Sequence, residues 1–280
     1  MILIESAGIT DVGKKRKGNE DALFLEDSLG LYVVADGMGG HLAGEVASRL
    51  VVDTIGDFIK DNRKNPVDEN FLNGDKSLSR EAKRLLSGIH LSNQVVHDAA
   101  RNNSSYRGMG STVSAVYFTD GTFIAANVGD SPIYLIRDGR IKLLSVPHTV
   151  IAEQTALDPE NAARLGMEFR HVLTRAMGTE ESVKADIYEI QCFKNDILVI
   201  SSDGLSDKAS PEEIQQLVDG NGSDAACRQL VDLANERGGD DNITAIVLKV
   251  KMVKNTPMKL KRLVAMAQRI LFKIPPFNNI

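Results

Sequence analysis

Two Asp-Gly pairs, each set between strand-forming segments, constrain the fold more than any other feature of the sequence. Asp120-Gly121 and Asp138-Gly139 favour two-residue hairpin turns, because such turns need backbone conformations with positive φ and the flanking residues are β-rich. The sequence therefore predicts a meander of four consecutive antiparallel strands. These strands cover residues 112–119, 122–129, 133–137 and 140–145.

Further strands and four helices are predicted on both sides of the meander. Apolar residues recur at helical spacing over 43–60 and 79–101. A capping box at 210–213 begins a third helix that extends to about Val218, and a fourth helix covers about 224–236. The other predicted strands cover residues 21–27, 31–35, 196–201 and 242–250.

The order of these elements indicates the fold class. Strands and helices occur in separate blocks, with a polar loop over 61–78 and an irregular segment, containing one short helix, over 146–180. Separate blocks are typical of an α+β domain built in layers, and not of an alternating α/β fold. With 280 residues, 42% of them hydrophobic, the chain is large enough to bury one substantial core.

Composition and charge exclude several classes of protein. No segment approaches the roughly 18 uncharged apolar residues of a membrane span, and the first residues lack the basic leader of a secretory signal. Cys192 and Cys227 are too far apart in sequence for a disulfide framework, which predicts a reduced, cytoplasmic compartment. The net charge is −5, but residues 251–280 are basic, so the rest of the chain is strongly acidic; this acidic body argues against nucleic acid as a partner.

Five acidic positions adjoin apolar strands and are candidates for a metal site. Burying a carboxylate without a partner is costly, and clustered carboxylates need protons or cations; oxygen ligands suit Mg²⁺ or Mn²⁺. Taken singly, an Asp before Gly is a turn residue, and Asp120 and Asp138 are interpreted so. For the other positions, the residues alone leave a turn role and a metal cluster as alternatives. These positions are Glu20, Asp36, Asp130, Asp203 and the pair Asp240-Asp241.

Eight short motifs, in a fixed order over residues 3–250, carry a resemblance to a known family. They are TDVG at 10–13, Arg16 with NED at 19–21, DGMGGHLAGEVAS at 36–48, GMGSTVSAV at 108–116, NVGDS at 127–131, VLTRAMG at 172–178, SSDGLSD at 201–207 and GGDDNIT at 238–244. Together they resemble the metal-dependent protein phosphatases, the 2C-type serine/threonine phosphatases, and most of all their stand-alone bacterial form. DGMGGH together with GGDDNIT is highly specific, although neither is so alone.

The resemblance implies an architecture and an activity. The fold would be a four-layer α-β-β-α sandwich, in which two antiparallel sheets pack face to face and helices cover both outer faces. Residues 1–250 would form the phosphatase domain, and residues 251–280 a basic amphipathic tail. The protein, a monomer, would hydrolyse phosphoserine and phosphothreonine in phosphorylated proteins and so oppose a serine/threonine kinase.

The resemblance also implies a cofactor and its ligands. Two divalent cations, Mn²⁺ or Mg²⁺, would hold a bridging water for in-line attack on phosphorus. Asp36 would bind both cations. Asp203 and Asp241 would complete the ligands of the first cation. Glu20 and the carbonyl of Gly37 would bind the second. Asp130 with Asp203 matches the ligands of a third, weaker ion found in bacterial relatives.

Two further residues would act on the substrate. Arg16 matches the phosphate-binding arginine of the family, and its planar guanidinium suits two phosphate oxygens. His41 is a candidate general acid for the leaving alkoxide, because histidine donates protons near neutral pH; the alternative is a role in ordering the loop. The chain departs from the family at Pro132, commonly Arg, and at Pro147, commonly Asp, which puts the local loop geometry and the third ion in doubt.

The tail differs in character from the rest of the chain. Residues 251–280 contain seven basic residues and no acidic one. Within them, 257–273 place apolar residues on one helical stripe and basic residues opposite, between Pro257 and Pro275-Pro276. Such a helix packs on the acidic domain, lies on an anionic membrane or docks on a partner, and the sequence leaves all three open.

Two other functions remain as alternatives to an active protein phosphatase. One is a pseudophosphatase that binds phosphoproteins, which loss of metal ligands would favour; no ligand is lost from the motifs. The other is a hydrolase of small phosphate metabolites, which would use the same site and differ only in its substrates.

Overall fold

The structure is a computed structural model that describes residues 2–39, 42–63, 77–162, 164–166 and 169–253. His41 and residues 257–273, the predicted general acid and the predicted tail helix, lie outside the described residues. None of the helices within the described ranges is long and apolar enough to cross a membrane.

Two antiparallel sheets form the centre of the molecule. One contains β1 (Ile2–Asp11), β11 (Ile243–Val253), β10 (Ile197–Ser201), β7 (Ile133–Arg137) and β8 (Arg140–Leu143), in that spatial order. The other contains β2 (Asp21–Glu26), β3 (Leu31–Met38), β5 (Val113–Phe118), β6 (Thr122–Val128) and β9 (Asp186–Gln191), with the short β4 (Gly110–Ser111) beside β3. We call them the β11 sheet and the β3 sheet.

Helices cover the outer faces of both sheets. The two long ones, α1 (Ala43–Asn62) and α2 (Arg80–Asn102), lie on the β3 sheet. On the β11 sheet lie α6 (Pro211–Asp219) and α7 (Ser223–Glu236). The remaining helices are short: α3 (Val150–Leu157), α4 (Pro159–Ala162), α5 (Asp203–Ser206) and a 3₁₀ turn at Ser104–Tyr106.

The hydrophobic core has three parts, one for each interface between layers. Buried residues of α1 and α2 pack on the β3 sheet, those of α6 and α7 pack on the β11 sheet, and a third cluster lies between the sheets. Tyr32, Phe118 and Phe123 belong to this central cluster, where their rings are in contact. The predicted four-layer α-β-β-α sandwich is therefore confirmed.

The predicted meander is wrong as a single four-stranded unit. Its four strands exist, but β6 pairs with β5 and β9 whereas β7 pairs with β8 and β10, so the chain passes from one sheet to the other over residues 129–132. Gly129, at φ 99°, and Pro132 lie in this crossing. Hydrogen bonds secure it: Ser114 Oγ donates to Ser131 O at 2.6 Å, and Ser201 N–H donates to Pro132 O at 3.1 Å. The crossing brings Asp130 to one end of the sandwich.

Candidate metal centre

The acidic residues predicted from the sequence meet in one cleft at an end of the sandwich. The cleft has a volume of about 640 Å³. Its lining includes every predicted site residue that the described ranges contain: Arg16, Glu20, Asp36, Gly37, Asp130, Asp203 and Asp241. Side chains as far apart in the sequence as residues 16 and 241 thus line the same small cleft.

Backbone pairing within the β3 sheet positions the acidic residues on its side of the cleft. Asp36 lies opposite Asp21 in the β2–β3 ladder, and Gly37 N–H donates to the carbonyl of Glu20 at 3.0 Å. Thr112 fixes Asp36 from the other side, since its Oγ1 accepts from Asp36 N–H at 2.9 Å and its own N–H donates to Asp36 O at 2.8 Å. The Asp36 carboxylate is therefore held on a rigid backbone.

The β11 sheet supplies the remaining acids. Asp203 begins α5 directly after β10, and Asp241 lies just before β11. Asn242 joins the two sides of the cleft: its Nδ2 donates to Val12 O at 2.9 Å and its Oδ1 accepts from Glu20 N–H at 2.8 Å. The segments that carry Glu20 and Asp241 are thereby fixed relative to each other.

The pKa values of Asp36 and Asp130 are raised because these two acids lie out of water and close to other carboxylates. Burial, together with the charges of Asp21, Asp203, Asp130 and Asp241, raises the pKa of Asp36 far above its ordinary range. Burial and the charge of Asp203 raise the pKa of Asp130 to about 7. Such shifts are expected where like charges are crowded without a counterion.

Positive side chains compensate only part of this charge. Arg16 Nη2 lies 2.7 Å from Asp241 Oδ2, in a pair of which both side chains are about half exposed. Within the described part of the chain, no Lys or Arg forms an ion pair with Asp36 or Asp130. A donor set of carboxylate oxygens and one glycine carbonyl, deficient in positive charge, fits a hard divalent cation.

Comparison with known proteins agrees with this geometry. The family profile described as Protein phosphatase 2C matches residues 14–247. The chain belongs to the protein phosphatase 2C family. A putative protein phosphatase 2C-type from Streptococcus pyogenes is 34% identical over 243 residues, which cover 84% of this chain and 93% of the relative.

Solved structures of this family share the fold. The PPM Ser-Thr phosphatase MsPP from Mycobacterium smegmatis, in complex with cacodylate, has a TM-score of 0.73 and 30% identity, covering 89% of this chain and 98% of its own. The catalytic domain of the serine/threonine phosphatase PstP, in complex with two manganese ions, has a TM-score of 0.74 and 27% identity, covering 90% and 100% respectively. Family membership and the likeness of fold thus come from independent comparisons.

Two residues to which the motifs assigned no role lie at or beside the site of this 2C-family member. Asp21, opposite Asp36 in the β2–β3 ladder, is buried, and its Oδ2 accepts hydrogen bonds from Ser202 Oγ at 2.7 Å and Thr244 Oγ1 at 2.6 Å. Burial raises the pKa of Asp21 to about 7. His171 lines the cleft and faces Asp203. Asp21 is part of the NED motif and could have been found; His171 lies in the irregular segment, where no pattern distinguishes it.

The loop at Pro147 is firmly attached to the site, in spite of the departure from the family pattern. His148 is fully buried; its N–H donates to Gly129 O at 3.0 Å and its Nδ1 accepts from Gly129 N–H at 3.1 Å. These two hydrogen bonds fix the residue before Asp130. Pro147 and Pro132 therefore leave Asp130 inside the cleft.

Proposed function

We propose that this protein hydrolyses phosphoserine and phosphothreonine in phosphorylated proteins, using divalent cations. Membership of the protein phosphatase 2C family supports this activity, as do the relatives that carry serine/threonine phosphatase names. The observation that carries the proposal is the cleft in which Glu20, Asp36, Asp203 and Asp241 converge from both sheets, with Asp36 buried among other carboxylates.

We assign the cation ligands as the motifs suggest. Asp36 would bridge two cations, Mn²⁺ or Mg²⁺; Asp203 and Asp241 would complete one, and Glu20 and the Gly37 carbonyl would serve the other. Asp130 and Asp203 would hold a third, weaker ion. When bound, such cations lower the pKa of water and offset the negative charge of the phosphate during attack.

The protein's own groups would bind and orient the phosphate. Arg16 lines the cleft, and its exposed ion pair with Asp241 is cheap to rearrange, so the guanidinium is free to receive two phosphate oxygens. Asp241 would in turn be released toward a cation. His41, next to the DGMGG loop in sequence, would donate a proton to the leaving serine or threonine oxygen.

Replacing one of the proposed cation ligands tests the activity. Asp36→Asn or Asp241→Asn should reduce Mn²⁺-stimulated phosphate release from a phosphothreonine peptide by at least about a hundredfold, because each removes a cation ligand. Asp120→Asn, in a turn outside the cleft, is the matched control and should keep full activity. Unchanged turnover in both cleft variants would overturn the proposal. Mn²⁺ binding without any phosphate release in the unchanged protein would favour a pseudophosphatase.

The physiological context belongs to the same proposal. The substrate would be a protein phosphorylated by a serine/threonine kinase, so phosphopeptides should be hydrolysed far faster than small phosphate esters at equal concentration; the reverse preference would favour a metabolite phosphatase. We propose a monomer and a cytoplasmic location, to which two buried free cysteines are suited.

The basic tail calls for a separate test. Cosedimentation with anionic liposomes would compare the full chain with residues 1–253, a boundary set by the last residue of β11. Loss of binding on truncation would favour a tail that lies on membranes. Equal sedimentation of the two forms would exclude that role.

A further inference from the structure

One side of the cleft combines an imidazole with three carboxylates. His171 Nδ1 lies 3.4 Å from Asp203 Oδ2, and His171 Nε2 lies 3.3 Å from Asp207 Oδ2. One ligand atom each from Asp130, His171 and Asp203 lies within 4.8 Å of the others. Two ligand atoms on one octahedral cation are about 3 Å apart when adjacent and about 4 Å apart when opposite. The 3.4 Å between His171 and Asp203 lies within this range. The 4.8 Å limit on all three atoms is slightly wider, so a small side-chain rotation brings the three close enough to share one ion.

We propose that His171 is a ligand of the third, weaker cation, together with Asp130 and Asp203. This inference rests on the proposed function, since it concerns an ion of the same cleft. The motifs suggested only carboxylates for this ion, so a nitrogen ligand from the irregular segment adds a donor of a different kind.

Charge and exposure both favour this assignment. Asp130 lines the cleft and has no ion-pair partner among the described Lys and Arg residues. A divalent cation would supply the missing positive charge. The His171 side chain is 48% exposed, so its ring turns toward an ion without disturbing the core.

A nitrogen ligand changes which ion the site prefers. Carboxylates suit both Mg²⁺ and Mn²⁺, whereas an imidazole nitrogen is a softer ligand that the harder Mg²⁺ accepts less readily than Mn²⁺ does. His171 should therefore shift the third site from Mg²⁺ toward Mn²⁺. The segment after His171 lines the cleft with Leu173, Thr174 and Arg175. An ion bound by His171 would therefore also hold this segment in place beside the substrate.

Mn²⁺ alone is a sufficient probe for the test. Calorimetric titration of the full chain should show a strong class of sites and a weaker one, and His171→Ala should weaken only the weaker class, by about tenfold or more. Pulsed electron paramagnetic resonance of the bound Mn²⁺ should show a ¹⁴N coupling that His171→Ala removes. His97→Ala, on α2, and His41→Ala are the controls and should retain the coupling that His171 produces.

The opposite result has a clear meaning. If His171 only pairs with Asp203 and Asp207 in place of a cation, its removal would leave the weaker class unchanged or make it tighter, with no loss of ¹⁴N coupling. Either finding would overturn the inference while the strong class and phosphate release remain. Absence of the strong class in the unchanged protein would instead count against the proposed function.

Discussion

At the scale of the residue, Gly37 shows how closely the site is packed. A Cβ at this position would lie 2.0 Å from Gly44 O and 2.5 Å from Glu20 O, and both are backbone atoms that cannot rotate away. Only glycine allows α1 to approach β3 at the point where Asp36 and Gly37 line the cleft. The residue type is therefore set by packing and by the proposed ligand role together.

Gly37→Ala should accordingly damage stability and metal binding at once. We expect a loss of several kcal/mol in the free energy of unfolding, since overpacking against backbone forces the strand to shift, and a large loss of Mn²⁺ affinity. Urea unfolding and Mn²⁺ calorimetry would measure the two. Gly108→Ala is an informative control, because a Cβ there meets no atom within 4 Å although its φ of 79° adds strain. Equal Mn²⁺ affinity in Gly37→Ala and the unchanged chain would contradict the argument.

Most residues of the cleft could be predicted from the sequence, but only when several motifs were considered together. Asp36 and Asp203 look like turn residues singly, and only the order of motifs identified them. His171 could not be predicted, because its nearness to Asp203 depends on how the irregular segment folds back over the cleft. Its ordinary neighbours in sequence, Arg170 and Val172, carry no sign of that contact.

At the scale of the element, one buried ion pair ties the end of β7 to both sheets. Arg137 donates from Nε to Asp196 Oδ1 at 2.8 Å and from Nη2 to Asp196 Oδ2 at 2.7 Å. Its Nη2 also donates to the carbonyl of Gln191, the last residue of β9, at 2.9 Å. Both charged side chains are buried, so the pair holds β7, the turn before β10 and β9 in register.

Removing one member of this pair should be costly. Arg137→Met removes the guanidinium that neutralises the buried Asp196 charge, and we expect the protein to lose about 3–5 kcal/mol of stability. Arg137→Met combined with Asp196→Leu should recover part of that loss, since no buried charge then remains. Urea denaturation of the three proteins would measure this. A double variant no more stable than Arg137→Met would show that packing, and not the unpaired charge, causes the loss.

The sequence predicted the central elements and missed those at the margins. β1 and β9 were not predicted, because both are only partly covered and both interrupt their apolar residues with charged ones. α3 was missed since its residues show no amphipathic pattern, although Thr149 caps it by accepting from Ala152 N–H at 3.2 Å. The crossing at Gly129 was also missed: local hairpin signals determine which strands form, but long-range packing determines which sheet receives them.

At the scale of the whole molecule, the crowded carboxylates couple stability to pH and to cations. An acid whose pKa is raised on folding ionises at a cost to the folded state. That cost is present above the folded pKa and is relieved as pH falls toward the ordinary value near 4. The folded pKa of Asp130 is about 7. Lowering the pH from 8 to 6 therefore raises the free energy of unfolding by about 1.4 kcal/mol through Asp130 alone. Asp36 contributes in the same direction.

The chelated protein should therefore have a higher Tm at pH 6 than at pH 8. Saturating Mn²⁺ should reverse this order, because the ion favours ionised carboxylates and competes with protons. Thermal unfolding followed by circular dichroism, with EDTA or with Mn²⁺, would measure both. Asp130→Asn should reduce the difference seen in EDTA; an equal difference in that variant would show that other groups cause it.

The origin of the ligands in two different sheets has a consequence for the life of the protein. Glu20 and Asp36 lie at the β3 sheet and Asp203 and Asp241 at the β11 sheet. The two proposed ions, which share Asp36 as a ligand, would therefore join the two sheets of the sandwich. Ligand binding to the folded form alone increases stability with the logarithm of ion concentration. Resistance to proteases should then follow the supply of manganese or magnesium, and a cell short of these ions would lose both the enzyme's catalysis and, in time, the enzyme.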